Sequence, residues 1–124
     1  MSGRRFLTSV RFAGRGLGYA LRTQRNMRIH VAIGAVAVGA AAYCRVSAVE
    51  WLFLSVTIAL VLVAELINTA LEVWIDFVSR ERRAEAMVVK DLAAGAVLVC
   101  SLSAVVVGVI VFLPRLLSVF TLTP

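Results

Sequence analysis

The sequence predicts an all-α integral membrane protein, with an amphipathic surface helix followed by three transmembrane helices. Three observations carry that prediction. The 124 residues are 61% hydrophobic, against about 45–50% in a soluble domain, and mean hydropathy is +0.95. Apolar stretches free of charge recur, as at 51–63, which is the mark of membrane spans. Basic residues are unevenly placed: seven of 13 precede position 29, where there is no acid. Four more, Arg80, Arg82, Arg83 and Lys90, occupy a second polar segment. By the positive-inside rule the N-terminus and the 77–91 loop face the cytoplasm. The 44–50 turn and the C-terminus then lie outside, which requires three crossings.

The elements follow in order within one domain, 1–124. Residues 6–23 read as the surface helix. Phe6, Val10, Ala13, Leu17 and Leu21 recur at three and four, with Arg4, Arg11, Arg15 and Arg22 mostly elsewhere on the wheel. Such a helix lies in the headgroup plane. The first span is placed at 29–48, where small residues such as Ala35 and Gly39 permit close packing. The second, 51–77, would be roughly 40 Å long, so its end bearing Glu72 and Asp76 projects into the cytoplasm. A charged connection covers 78–87. The third span, 88–117, is opened by Lys90-Asp91 and punctuated by Pro114, with a frayed end expected beyond it. There is no internal repeat. No secretory signal is expected, because the arginine-rich start has no apolar core of signal length.

Several function classes are set aside on composition. The net charge of +6 is explained by juxtamembrane arginines facing anionic lipid, so no nucleic acid partner is expected. Cys44 and Cys100 have no metal-ligand spacing and read as inert thiols. His30 stands alone, which argues against Zn²⁺ and against a Ser/His/Asp set; it reads as interfacial. Gly14, Gly16 and Gly18 follow no strand and make no phosphate loop. Thr57, Thr69, Ser101 and Ser103 read as helix–helix hydrogen bonders.

The chemistry concentrates in one stripe. Glu65, Asn68, Glu72 and Asp76 are spaced three, four and four apart. On a helix they fall within about an 80° arc. Acids inside a membrane helix are costly and are functional-site hypotheses by default. Glu65, deep in apolar sequence, reads as a general base or metal ligand; its structural alternative is a salt bridge to a cation of another helix. Glu72, about 10.5 Å further along the axis, can hold a cation. Asn68 between them can bridge by hydrogen bonds. Asp76 near the interface is as well suited to a solvated structural role. Lys90 opposes the dipole of the helix it opens and suits phosphate binding. Asp91 suits the same helix start as a cap-region acid. Together these groups point to Mg²⁺ and phosphate, since Mg²⁺ often joins one or two carboxylates to substrate phosphates.

These residues resemble a known family. Glu65-Leu66-Ile67-Asn68-Thr69-Ala70-Leu71-Glu72, followed later by Lys90-Asp91-Leu92-Ala93-Ala94-Gly95, is similar to the signature of the small prokaryotic diacylglycerol kinases. The likeness covers nearly the whole chain. Arg25-Asn26-Met27-Arg28-Ile29-His30 and Ala93-Ala94-Gly95-Ala96-Val97 resemble the undecaprenol kinase branch most. The resemblance implies a homotrimer in a bacterial inner membrane, with active sites shared between subunits. It implies ATP- and Mg²⁺-dependent phosphorylation of a lipid alcohol at the cytoplasmic face: undecaprenol, or diacylglycerol as the alternative. Glu65 would be the general base and Asn68 would help position the hydroxyl. Glu72 would ligate Mg²⁺. Lys90 and Asp91 would contact ATP, with Asp76 and Arg15 further candidates beside it. The sequence assigns no lipid-binding residue.

Two departures stand out. Where the family pattern has Glu before the Arg-Asn pair, as a second metal ligand, this chain has Gln24. Glutamine keeps an oxygen but loses the charge, so metal affinity should fall or one of two Mg²⁺ ions be lost. Arg83 stands where the family commonly has His. A cation-coupled transporter would explain Glu65 but leave Lys90 and Asp91 idle. An inactive scaffold is the remaining alternative that Gln24 raises.

Overall fold

The computed structural model describes the backbone of residues 2–78 and 83–121, and the side chains of 5–78 and 83–119. Arg80 and Arg82 of the basic connection, the Arg4 side chain and residues 122–124 lie outside the described residues. The rest forms four helices: α1 Ser2–Thr23, α2 Arg25–Tyr43, α3 Ala48–Val78 and α4 Ala84–Thr121. Among the described residues, α3 and α4 are long and apolar enough to cross a membrane. They run antiparallel along each other and make the principal packing of the molecule; α2 lies against α3, and α1 touches α2 and α3.

Gln24 separates α1 from α2. Its backbone is extended (φ −102°, ψ 117°) and its side chain makes no capping bond. Arg28 reaches back instead, donating from Nη1 to the carbonyls of Leu21 (3.3 Å) and Arg22 (3.1 Å). A cation is favoured at that carbonyl end of α1. The apolar stripe of α1 is uncovered, with Phe6 68% and Val10 52% exposed, as an interfacial helix requires.

The α2–α3 turn ends α2 at Tyr43, short of the predicted 48. Val46 N–H donates to the Ala41 carbonyl and Arg45 N–H to the Ala42 carbonyl, each at 3.2 Å. These are the two bonds of a Schellman motif, and buried Val46 packs with Ala41 in its hydrophobic contact. The motif needs a left-handed residue, and Arg45 takes it at φ 51°. Ser47 and Glu50 then start α3 reciprocally: Ser47 N–H donates to Glu50 Oε2 at 2.8 Å, and Glu50 N–H to Ser47 Oγ at 3.3 Å. This capping box moves the helix start ahead of the predicted 51.

Glu50 also receives Arg115 from α4 through two bonds, 2.8 and 2.9 Å. A small apolar core of Ala41, Val46, Leu54 and Val111 sits at this end, flanked by Cys44, Trp51, Val107 and Phe112. At the other end Lys90 Nζ meets Asp76 Oδ1 at 2.5 Å. The two pairs fix the register of α3 on α4 from end to end.

Pro114 lies inside α4, where the sequence expected an end near 117. Proline leaves a carbonyl of the preceding turn without its N–H donor. In that same turn Arg115 Nη1 donates to the Val111 carbonyl at 2.5 Å. The helix runs on to Thr121.

Arg45→Gly should raise stability by about 1 kcal/mol, because glycine adopts the left-handed conformation without a Cβ penalty; thermal or denaturant unfolding in a defined micelle measures it. Glu50→Ala should lower the thermal midpoint more than Arg115→Met. The first removes the ion pair and the capping box, the second the ion pair and the bond to the Val111 carbonyl. Equal losses would mean that the capping box is worth no more than that one carbonyl bond.

Candidate active site

Helix α3 carries the predicted stripe, and the structure divides it by depth. Glu65 is 1% exposed. Its Oε2 has no hydrogen-bond partner, and among the described residues no Lys or Arg pairs with it. Among the described residues the fold therefore builds no ion pair of Glu65 with a lysine or arginine of another helix. An unpaired acid in such a place is expensive, which makes it the candidate around which the site is considered. His30 of α2 and Glu72 lie within electrostatic reach of it.

One turn on, Asn68 is also buried. Its Nδ2 donates to Glu72 Oε1 at 3.1 Å, while its own Oδ1 is buried without a partner. Gln24 Nε2 donates to the other oxygen, Glu72 Oε2, at 3.4 Å. Gln24, Asn68 and Glu72 thus meet across α2 and α3, and this explains why Gln24 leaves the helix start uncapped. Asp76 and Lys90 pair at the more exposed edge, their side chains 68% and 35% accessible.

The other predicted residues are not drawn in. Asp91 is exposed beside Lys90 about two turns into α4, because the helix starts at Ala84 and has Glu85 in its first turn; neither residue opens the helix, and Asp91 is not its cap-region acid. Arg15 is exposed on α1, with its guanidinium 6.0 Å from the Phe12 ring.

No cluster of three His, Cys, Asp or Glu able to hold a metal exists among the described residues. One carboxylate with two neighbouring amides does exist, and an unsatisfied amide oxygen lies within it. Either amide can present oxygen by rotating half a turn. That donor set fits Mg²⁺, which takes few protein carboxylates and leaves the remaining positions to phosphate and water. It does not form a closed cage.

The hydroxyls behave differently from expectation. Thr57, Thr69 and Ser103 bond carbonyls of their own helix: Phe53 and Leu54, Glu65, and Val99 respectively. Back-bonding to the preceding turn is the nearest acceptor available in an apolar environment. Ser101 Oγ is buried without any partner. Cys44 and Cys100 are free thiols, half-buried.

Comparison with known proteins gives the same direction as the geometry. The family model for prokaryotic diacylglycerol kinase matches residues 11–112. A diacylglycerol kinase of Synechocystis is 43% identical over 113 residues, covering 90% of this chain and 65% of the relative. An undecaprenol kinase of Bacillus subtilis is 34% identical over 112 residues, covering 90% of this chain and 91% of the relative. The chain therefore spans about two thirds of one relative and nearly the whole of the other. With its stripe of acids, its Lys90 and its helix order all in the matched segment, the chain belongs to the prokaryotic diacylglycerol kinase family.

Proposed function

We propose that the protein is an ATP-dependent lipid kinase that phosphorylates a membrane alcohol at the cytoplasmic face of a bacterial inner membrane, with undecaprenol as the acceptor. The observation that carries this reading is Glu65, buried and unpaired next to an amide-held carboxylate and, at the helix edge, a lysine. The choice of undecaprenol rests on the relative that this chain matches over 91% of its length. Diacylglycerol is the second reading, favoured by the higher identity of the Synechocystis relative. In this arrangement α2 makes a third crossing, the arginine-rich N-terminus is cytoplasmic, and three copies share their sites as a homotrimer.

Glu65 takes the proton of the lipid hydroxyl as the oxygen attacks the terminal phosphorus of ATP. The bond from that phosphorus to the bridging oxygen breaks, and ADP leaves with the electron pair. An acid held in apolar surroundings is suited to accept a proton there. Asn68 orients the hydroxyl against Glu65. Lys90 exchanges Asp76 for the incoming phosphate, a substitution of one oxyanion for another. Asp91 and Arg15 meet the nucleotide at its aqueous side. Glu72, with Gln24 beside it, would hold Mg²⁺, which when bound offsets the negative charge of the phosphates.

With purified protein, γ-labelled ATP, Mg²⁺ and a panel of lipid alcohols, label should pass into the lipid extract. No labelled lipid from any alcohol would overturn the kinase reading, and the preferred alcohol names the substrate. Glu65→Gln should lower transfer at least 10²-fold, the usual worth of a general base, with ATP binding retained. Near-normal transfer in that variant would remove Glu65 from the role. Gln24→Glu should halve the Mg²⁺ concentration needed for activity or lower it further. Without Mg²⁺ the same variant should melt earlier than wild type, because two carboxylates then face each other. A thermal scan with and without Mg²⁺ reads this second effect independently of catalysis.

A further inference from the structure

The joint between α1 and α2 is a break in what would otherwise be one continuous helix. Gln24 N–H still donates to the Ala20 carbonyl at 2.8 Å, as in an unbroken helix. The ψ of Gln24 then swings to 117°, where a helix needs about −42°, and the chain turns off the axis of α1. An unbroken helix would next join Arg25 N–H to the Leu21 carbonyl and Asn26 N–H to the Arg22 carbonyl. Those two carbonyls are the ones that Arg28 Nη1 reaches, at 3.3 and 3.1 Å. One guanidinium nitrogen therefore takes the place of both donors that the break withdraws, and sets its charge at the negative end of α1. Ala20 and Met27, on either side of the joint, are 1% and 2% exposed, so the joint is seated against the helical body. At its apex stands Gln24, whose Nε2 donates to Glu72 Oε2 at 3.4 Å.

We propose that Arg28 is a positioning residue for the metal side of the site. By holding the carbonyl end of α1 it keeps the joint turned, and the turned joint keeps Gln24 on Glu72. The proposal rests on the kinase reading for what Gln24 does there; the joint itself stands without it. Among the described residues Arg28 forms no ion pair with an acid, so its charge is left for the carbonyls. Both bonds are exposed, so water competes for the carbonyls and the guanidinium biases the joint without locking it. Proline at position 25 would lock it by other means. It offers the Leu21 carbonyl no N–H and fixes φ for a first helical residue. The extended Gln24 before it already has the backbone that proline imposes on its predecessor.

The test uses full-length protein in a defined micelle, with thermal scans free of Mg²⁺ and ATP. Gln24→Glu sets a carboxylate against Glu72 and should lower the midpoint; no drop would overturn the proposal. In an Arg28→Met background that drop should shrink to less than about half, because residue 24 no longer stays on Glu72. An arginine that only stabilises the fold would lower both midpoints alike, and an unchanged drop would overturn the proposal. Arg28→Gln, which keeps one donor, takes the place of Arg28→Met should the latter not fold. Arg25→Pro combined with the Arg28 variant should restore the full drop with no guanidinium present. A drop that stays small there, or a combined variant that does not fold, would count against the joint. In the kinase assay Arg28→Met should raise the Mg²⁺ concentration for half-maximal transfer about fivefold, the worth of one hydrogen bond, and lower kcat at saturating Mg²⁺ by less. Added to Gln24→Ala it should change that concentration no further, and full additivity would overturn the proposal. Wild-type protein that labels no alcohol would defeat the kinase reading and leave the thermal comparison to decide the joint.

Discussion

Burying a carboxylate without a cation is the constraint around which this molecule is arranged. Glu65 is surrounded by apolar helix surface, where a charge has neither water nor a fixed partner to offset its desolvation. The surrounding helices must therefore supply enough packing to hold it in place. They do so along α3 and α4, which are bound at one end by Glu50 and Arg115 and at the other by Asp76 and Lys90. The ion pairs sit where water can still reach them, and the unpaired acid sits between them. Charges are matched where matching is cheap, and the acid left unmatched is the one the proposed reaction uses as its proton acceptor.

The site lies on a polarity gradient along one helix face. At the apolar end Glu65 is alone. In the middle, Asn68 and Gln24 wrap Glu72 with amide donors. At the aqueous end Asp76 meets a full positive charge. In the proposed reaction the lipid hydroxyl comes from one end of this gradient and the nucleotide from the other. Gln24 bears on the middle. A neutral amide next to Glu72 avoids the repulsion that a second carboxylate would bring, and in the proposed Mg²⁺ site it would offer the cation less charge.

The architecture was legible in the sequence because hydropathy and arginine placement are summed over many residues. All four helices and their order follow from it. The helix ends were less legible, because they depend on particular local bonds. The Schellman turn at Arg45 lacks the glycine that usually announces it, and α4 begins at Ala84 and runs to Thr121, past both predicted ends, 88 and 117. The acidic stripe was legible from spacing alone, but its partners were not. Nothing in the sequence says that Gln24 meets Glu72, or that Arg115 meets Glu50, because such pairings depend on helix register. The sequence reads Ser101 as a helix–helix hydrogen bonder, yet its buried Oγ finds no partner among the described residues, because a hydroxyl's neighbours depend on register too.

The register of α3 and α4 has a further consequence. Helices α3 and α4 form a long hairpin clasped at one end by Glu50–Arg115 and at the other by Asp76–Lys90. In the proposed exchange Lys90 lets go of Asp76, and the Glu50–Arg115 end alone stays clasped. The hairpin is then a pair of tweezers, held at the end away from the stripe and released at the tips where Asp76 and Lys90 stand.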